Sequence, residues 1–279
     1  MISSSSFLTK IRKIKRLGIK NTALKLDTNV FDFSSQSKWD QFYVNSGVDE
    51  SFEWHSSISL EDIASYVKPG SNCLMVGCGN SKLPALVLSK YHHQNRPTST
   101  KSTPPRSQPR LVLLDTSQTC VDQLQQLYNK NSTGDVIINC VCGDATQLST
   151  LDLFLNDGDG DDAGAIDSSS KLVDDEQDDA NVVDTDSSSS SLFDIIIDKG
   201  LTDVILCNEG WNGPLEKVYK EASKILKSSG KYLLISYKLP SSTKEFLTNV
   251  AGNNIGLDWE LDIPSISNDR VSVSIATKR

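Results

Sequence analysis

Long apolar runs are missing from this chain. Across its 279 residues, no stretch approaches the roughly 18 apolar positions that a bilayer-spanning helix needs, so no membrane association is expected. Paired cysteines are missing too. Cys73, Cys78, Cys120, Cys140, Cys142 and Cys207 are scattered, and no Cys-x-x-Cys occurs. That argues against a disulfide framework and favours a reducing compartment over secretion. Cys140 and Cys142 flank Val141 and would share one face of a strand, where a free thiol behaves as a small apolar group. Histidine is scarce, and His92-His93 has no carboxylate or thiol at ligand spacing, so no metal site is expected. Basic stripes interleaved with aromatics are absent, which disfavours nucleic acid as a partner.

What is present is strongly segregated charge. The net charge of −8 hides a basic N-terminus and an acidic interior tract. Residues 1–26 hold Lys10, Arg12, Lys13, Lys15, Arg16, Lys20 and Lys25 and no acid. Phe7, Leu8, Ile11 and Ile14 fall on one side of a helical wheel, with Lys13, Arg16 and Lys20 on the other. Such a segment has the composition of a mitochondrial transit peptide or of a basic tail, placing the chain in the matrix or the cytoplasm. Residues 94–109, rich in Pro, Ser and Thr, and residues 156–191, rich in Asp and Ser, carry too little apolar surface to offset ordering entropy. Both read as disordered insertions in one domain spanning residues 31–279, after a basic segment at 1–30. The run Asp157–Asp162 lacks the twelfth-position Glu of a calcium loop.

Between these stretches the pattern alternates strand and helix. Cys73–Val76, Leu111–Leu114, Val136–Val141, Phe193–Ile197 and Lys231–Tyr237 read as strands. Leu83–Tyr91, Val121–Tyr128 and Pro214–Leu226 read as helices, the last capped by Gly230. Trp259–Ile263 and Val271–Ala276 are close enough to pair antiparallel at an edge. Upstream, Trp39 and Tyr43 share a helical face, and Leu60–Tyr66 reads as a short helix.

The chemistry gathers where the strands end. Val76-Gly77-Cys78-Gly79-Asn80-Ser81 turns from the first strand into a helix. Glycines there allow a sharp turn and close approach of a ligand to the backbone. Lys82, followed by Leu83, stands where a dinucleotide turn carries its third glycine, so NAD and FAD are disfavoured. Asp115 ends the second strand, where a carboxylate accepts hydrogen bonds from a ribose diol; capping the next helix is the competing reading. Asp144 follows the third strand and suits an adenine amino group, and Asp198 ends the fourth. This set suits a cofactor with a ribose, an adenine and a cationic amino-acid tail.

Taken in order, Trp39-x-x-x-Tyr43, Phe52-Glu53-Trp54, Val76 to Ser81, Asp115-Thr116-Ser117, Gly143-Asp144-Ala145 and Phe193-Asp194 through Asp198-Lys199-Gly200 resemble the class I S-adenosylmethionine-dependent methyltransferases. Within that group the chain is similar to protein-lysine methyltransferases acting on elongation factor 1-alpha and on mitochondrial citrate synthase. The resemblance spans residues 38–237. It implies an α/β fold: a doubly wound, mostly parallel seven-stranded sheet with an antiparallel edge strand. It further implies a monomer that methylates a lysine of a protein partner. Trp39, Tyr43 and Trp54 would close over S-adenosylmethionine, Gly77 would pass close to its methionyl part, and Cys78, Gly79 and Asn80 would also bind the cofactor. Asp115 and Thr116 would hold the ribose, with Asp144 and Ala145 beside the adenine. Asp198 would lie at the methyl-donor end as the catalytic residue, orienting the acceptor ammonium. The chain departs from that family at Leu201-Thr202-Asp203, where relatives read Thr-Leu-Asp along the substrate channel. It also lacks the Asn/Asp-Pro-Pro-Tyr motif associated with amide or nucleobase nitrogen acceptors. A small-molecule methyltransferase and a silent cofactor-binding scaffold are the alternatives.

Overall fold

The computed structural model describes residues 32–46, 51–94, 108–129, 136–151 and 192–279. The basic N-terminal segment and nearly all of both expected insertions lie outside these residues. In chain order the elements begin with α1 (Gln36–Ser46), α2 (Leu60–Ser65), β1 (Cys73–Val76), α3 (Leu83–Gln94), β2 (Arg110–Asp115), α4 (Gln118–Asn129) and β3 (Ile137–Cys142). A 3₁₀ turn (Ala145–Thr150), β4 (Phe193–Lys199), α5 (Leu201–Leu206), α6 (Asn212–Ile225) and β5 (Leu226–Tyr237) follow. The remainder is α7 (Ser241–Phe246), a π-helical turn (Leu247–Asn254), β6 (Leu257–Glu260) and β7 (Val271–Lys278).

The strands form one seven-stranded sheet in the order β3-β2-β1-β4-β5-β7-β6. β1 to β5 run parallel, and β7 is antiparallel to both of its neighbours. The expected antiparallel pairing of the last two strands is present, with β6 outermost. β1 and the Ile195–Ile197 centre of β4 are apolar because a central parallel strand is covered on both faces.

Each face of the sheet has its own core. On one, Met75, Leu111, Leu113, Ile195, Ile197, Leu233 and Ile235 meet Trp39 and Tyr43 of α1, Leu83 and Val87 of α3, and Cys120 and Leu124 of α4. On the other, Leu74, Val76, Leu114, Ile196, Tyr232 and Leu234 meet Leu215, Val218, Tyr219 and Ala222 of α6. That stripe on α6 repeats every three or four residues, as an amphipathic helix requires.

Two expectations need correction. The helix read as Leu83–Tyr91, α3, continues to Gln94. The helix before β5 stops at Ile225 rather than at a glycine cap. Leu226 is already extended and pairs with Phe193, so the sheet captures the chain early. Ser229 takes the left-handed turn (φ 61°), and a Cβ on Gly230 would stand 2.7 Å from the Lys227 carbonyl oxygen.

Candidate active site

Register brings the expected site residues together. Val76 pairs with Leu114, and Asp115 pairs with Cys142, so the turns after β1, β2 and β3 leave the sheet side by side. Two backbone bonds lace them: Cys78 N donates to the Leu114 carbonyl (3.1 Å), and Gly143 N to that of Asp115 (3.0 Å). Gly77 and Gly79 adopt φ of 59° and 52°, the left-handed region in which a side chain is strained. A Cβ on Gly79 would lie 2.9 Å from the Tyr43 hydroxyl. Cys78 contributes its backbone, its thiol being turned into the core.

Asp115 is buried at the tip of β2. Its Oδ2 accepts from Gly79 N and its Oδ1 from Ser117 N, both at 3.0 Å. Burial pushes its carboxyl up, and these two bonds oppose the shift. It is not the helix cap, because Ser117 Oγ accepts from Cys120 N at 3.2 Å and starts α4. Thr116 beside it is exposed. Asp144 is exposed on the same rim, with Oδ1 accepting from Thr146 N at 2.8 Å, while Ala145 is buried in the α6-side core.

The aromatic residues lie over the glycine turn as one network. Trp39 and Tyr43 stack with centroids 6.3 Å apart, and Trp39 and Trp54 are 6.1 Å apart. Phe42 and Phe52 link them edge to face. Asp40 ties α1 down by accepting from Ser117 Oγ at 2.5 Å. Asn80 Oδ1 accepts from Phe52 N at 3.2 Å. Trp54 covers the tip of β4, its Cγ lying 3.6 Å from where a Cβ on Gly200 would stand.

Glu53 is the main polar anchor of this cover. It accepts from Lys82 N (2.7 Å) and from Ser81 Oγ (3.0 Å) at the start of α3, and it lies 2.7 Å from Lys199 Nζ. The sequence placed Glu53 and Lys199 inside quoted motifs but gave neither a role; their opposite charge was the available signal.

Asp198 lies near the end of β4 and faces the α6 side of the sheet. Its partner in register is Val76, which faces the α6-side core. The carboxyl group is fully buried there, with Oδ2 accepting from Thr202 Oγ1 (2.6 Å) and Tyr232 Oη (3.0 Å), and Oδ1 from Thr202 N (3.2 Å). Burial pushes it up to about 6, against those hydrogen bonds. Asp115 occupies the opposite sheet face, so the two strand-tip acids do not share one chamber.

Among the described residues, no cluster of three His, Cys, Asp or Glu could hold a metal ion. No helix there is long and apolar enough to cross a membrane. All six cysteines are free thiols, and burial raises those of Cys73, Cys78 and Cys120, which disfavours thiolate chemistry. Beneath the glycine turn the enclosed space is about 10 Å³, among Met75, Cys78, Ser81, Leu83, Ile197 and Lys199. A groove of about 540 Å³ lies elsewhere, between Trp211 before α6 and Phe246 at the end of α7.

The donor set fits S-adenosylmethionine. Asp115 keeps spare lone pairs for a ribose diol, Asp144 offers an exposed carboxylate beside it, and left-handed glycines present bare backbone to an amino-acid tail. No protein-family model matches the chain. The eEF1A lysine and N-terminal methyltransferase of Mus musculus is 20% identical over 252 residues, 89% of this chain and 27% of that protein. Its Homo sapiens counterpart is 20% identical over 246 residues, 87% of this chain and 26% of that protein. The chain thus spans about a quarter of the length of these curated relatives. A TehB-like SAM-dependent methyltransferase from Corynebacterium glutamicum superposes with a TM-score of 0.46 at 13% identity, over 88% of this chain and 98% of that one. The chain thus combines a 3-2-1-4-5-7-6 sheet and a left-handed glycine turn after β1 with sequence similarity to curated methyltransferases.

Proposed function

We propose that the chain transfers a methyl group from S-adenosylmethionine to a lysine side chain of a protein, with elongation factor 1-alpha the first substrate to test. The observation that carries methyl transfer is the convergence of Gly77, Gly79, Asp115 and Asp144 on one rim beneath Trp39, Tyr43 and Trp54. The lysine acceptor is supported by the curated relatives, whose names give eEF1A lysine and N-terminal methylation as their activity. The sequence Asp198-Lys199-Gly200-Leu201 at the end of β4, where an Asn/Asp-Pro-Pro-Tyr motif would stand, also favours it.

When bound, the cofactor supplies an already activated sulfonium methyl. The chain's part is therefore orientation and exclusion of water rather than covalent help. Asp115 and the glycine turn hold the nucleoside and the tail. Because Tyr43 sits directly over Gly79, its ring must shift to admit the tail. Trp54 then walls the side of the site next to β4.

Tritiated methyl transfer tests the reading. Recombinant chain is mixed with purified elongation factor 1-alpha and, separately, with cytosolic and mitochondrial lysate fractions. Label in a lysine of elongation factor 1-alpha is the expected result. Label in a mitochondrial protein such as citrate synthase would redirect the substrate. Label only in small molecules would overturn the protein acceptor, and cofactor binding without any transfer would leave a scaffold.

A further inference from the structure

His55 and Asp203 form a buried pair that the methyl-transfer chemistry does not use. Both side chains are almost fully buried, and Nε2 lies 2.9 Å from Oδ2. The approach is off-line, so neither ring nitrogen of His55 nor Asp203 Oδ2 has an in-line hydrogen-bond partner among the described residues. The pair is therefore a close polar contact between an imidazole nitrogen and a carboxylate oxygen. The other oxygen of Asp203, Oδ1, accepts from Tyr237 N at 3.0 Å. The Tyr237 ring stands edge-on to His55 with centroids 4.9 Å apart, and its hydroxyl reaches the Trp54 carbonyl at 3.4 Å.

These contacts close a loop around three segments. His55 follows Trp54 directly, Asp203 lies in the first turn of α5 just beyond Gly200, and Tyr237 ends β5. Trp54 is thereby fixed at two adjacent points: its indole on Gly200, and its chain neighbour on Asp203. Glu53 holds the preceding residue to Lys199 and α3.

We infer that His55 is a positioning residue: through its contact with Asp203 it locks Trp54 over Gly200 and so preorganises the cofactor cover. Preorganised side chains need not be ordered on binding, which otherwise costs affinity. For its cofactor arm the inference rests on the methyltransferase reading above; the clamp itself does not.

Two substitutions separate the donor from the ring. His55→Phe keeps an aromatic ring against Tyr237 but removes the donor, whereas His55→Gln keeps a donor and removes the ring. Amide hydrogen exchange of residues 52–57 in the ligand-free protein reads the clamp, and titration with S-adenosylmethionine reads the cover. His55→Phe is expected to speed exchange across that segment and to weaken cofactor binding about tenfold. His55→Gln is expected to stay near wild type in both. A packing role alone would give the reverse ranking and overturn the proposal. Unchanged exchange in His55→Phe, or binding that is unchanged or tighter, would overturn it too. Should His55→Phe not fold, His55→Gln decides alone, and loss of protection in it sinks the clamp. If the wild-type chain takes no S-adenosylmethionine, the exchange arm still judges the clamp, and the proposed function is what fails.

Discussion

Lys199 Nζ lies 2.7 Å from Glu53 Oε2, joining the last residue of β4 to the segment that carries Trp54. Both side chains are largely buried, and Glu53 also serves the start of α3. Removing one partner of a buried pair leaves an uncompensated charge, which costs about 3–5 kcal/mol. Glu53→Ala is therefore expected to destabilise the fold by roughly 3 kcal/mol. Chemical denaturation measures it, and a loss below about 1 kcal/mol would show Lys199 finding water instead.

Gly79→Ala faces two separate obstacles. Its φ of 52° costs an L-residue about 1–2 kcal/mol. Its methyl group would also stand 2.9 Å from the Tyr43 hydroxyl. Adding Tyr43→Phe should recover the steric part while leaving the backbone part. Wild-type stability in Gly79→Ala would mean that the turn refolds without its left-handed residue.

Asp115→Asn places an amide where Gly79 N and Ser117 N both donate. One of those donors must lose its acceptor. Hydrogen bonds to a charged group are worth about 1.5–3 kcal/mol, so cofactor affinity should fall between about tenfold and a hundredfold. Isothermal titration with S-adenosylmethionine checks this, and unaltered affinity would remove Asp115 from the site.

Asp198 gives the chain a pH signature. Its ordinary value of 3.8 is pushed up to about 6 by burial. Between those values the native chain keeps a proton that the unfolded chain has released. Raising the pH through this window therefore lowers stability, and the loss is complete above about pH 6. A shift of about two units corresponds to on the order of 2–3 kcal/mol. Because Asp198→Asn cannot titrate, its melting temperature relative to wild type should rise from pH 4 to pH 6 and then level off. A difference that is flat across this range would refute the assignment. Asp198→Ala should destabilise instead, since it strands Thr202 and Tyr232.

The strand tips were legible because each apolar run stops at glycine or aspartate, and that break marks where a chain leaves the sheet. Which face each acid takes was not legible. Asp115 and Asp198 look equivalent in sequence, and only the register of β1 against β2 and β4 puts them on opposite sides. The glycine cap expected at Gly230 failed for a related reason: pairing of Leu226 with Phe193 overrides the local signal. His55 and Asp203 sit far apart along the chain with no periodicity linking them. Residues 241–254 gave no helical signal because their buried positions, Thr243, Leu247, Ala251 and Gly252, are mostly small or polar.

The placement of β7 has a consequence for synthesis. Residues 271–278 separate β5 from β6, so β5 lacks its second neighbour and β6 has none until this late segment has left the ribosome. A nascent chain that has reached only Glu260 carries β5 with a naked edge, open to pairing with a stranger. Only when β7 has emerged through Lys278 can that edge of β5 be covered.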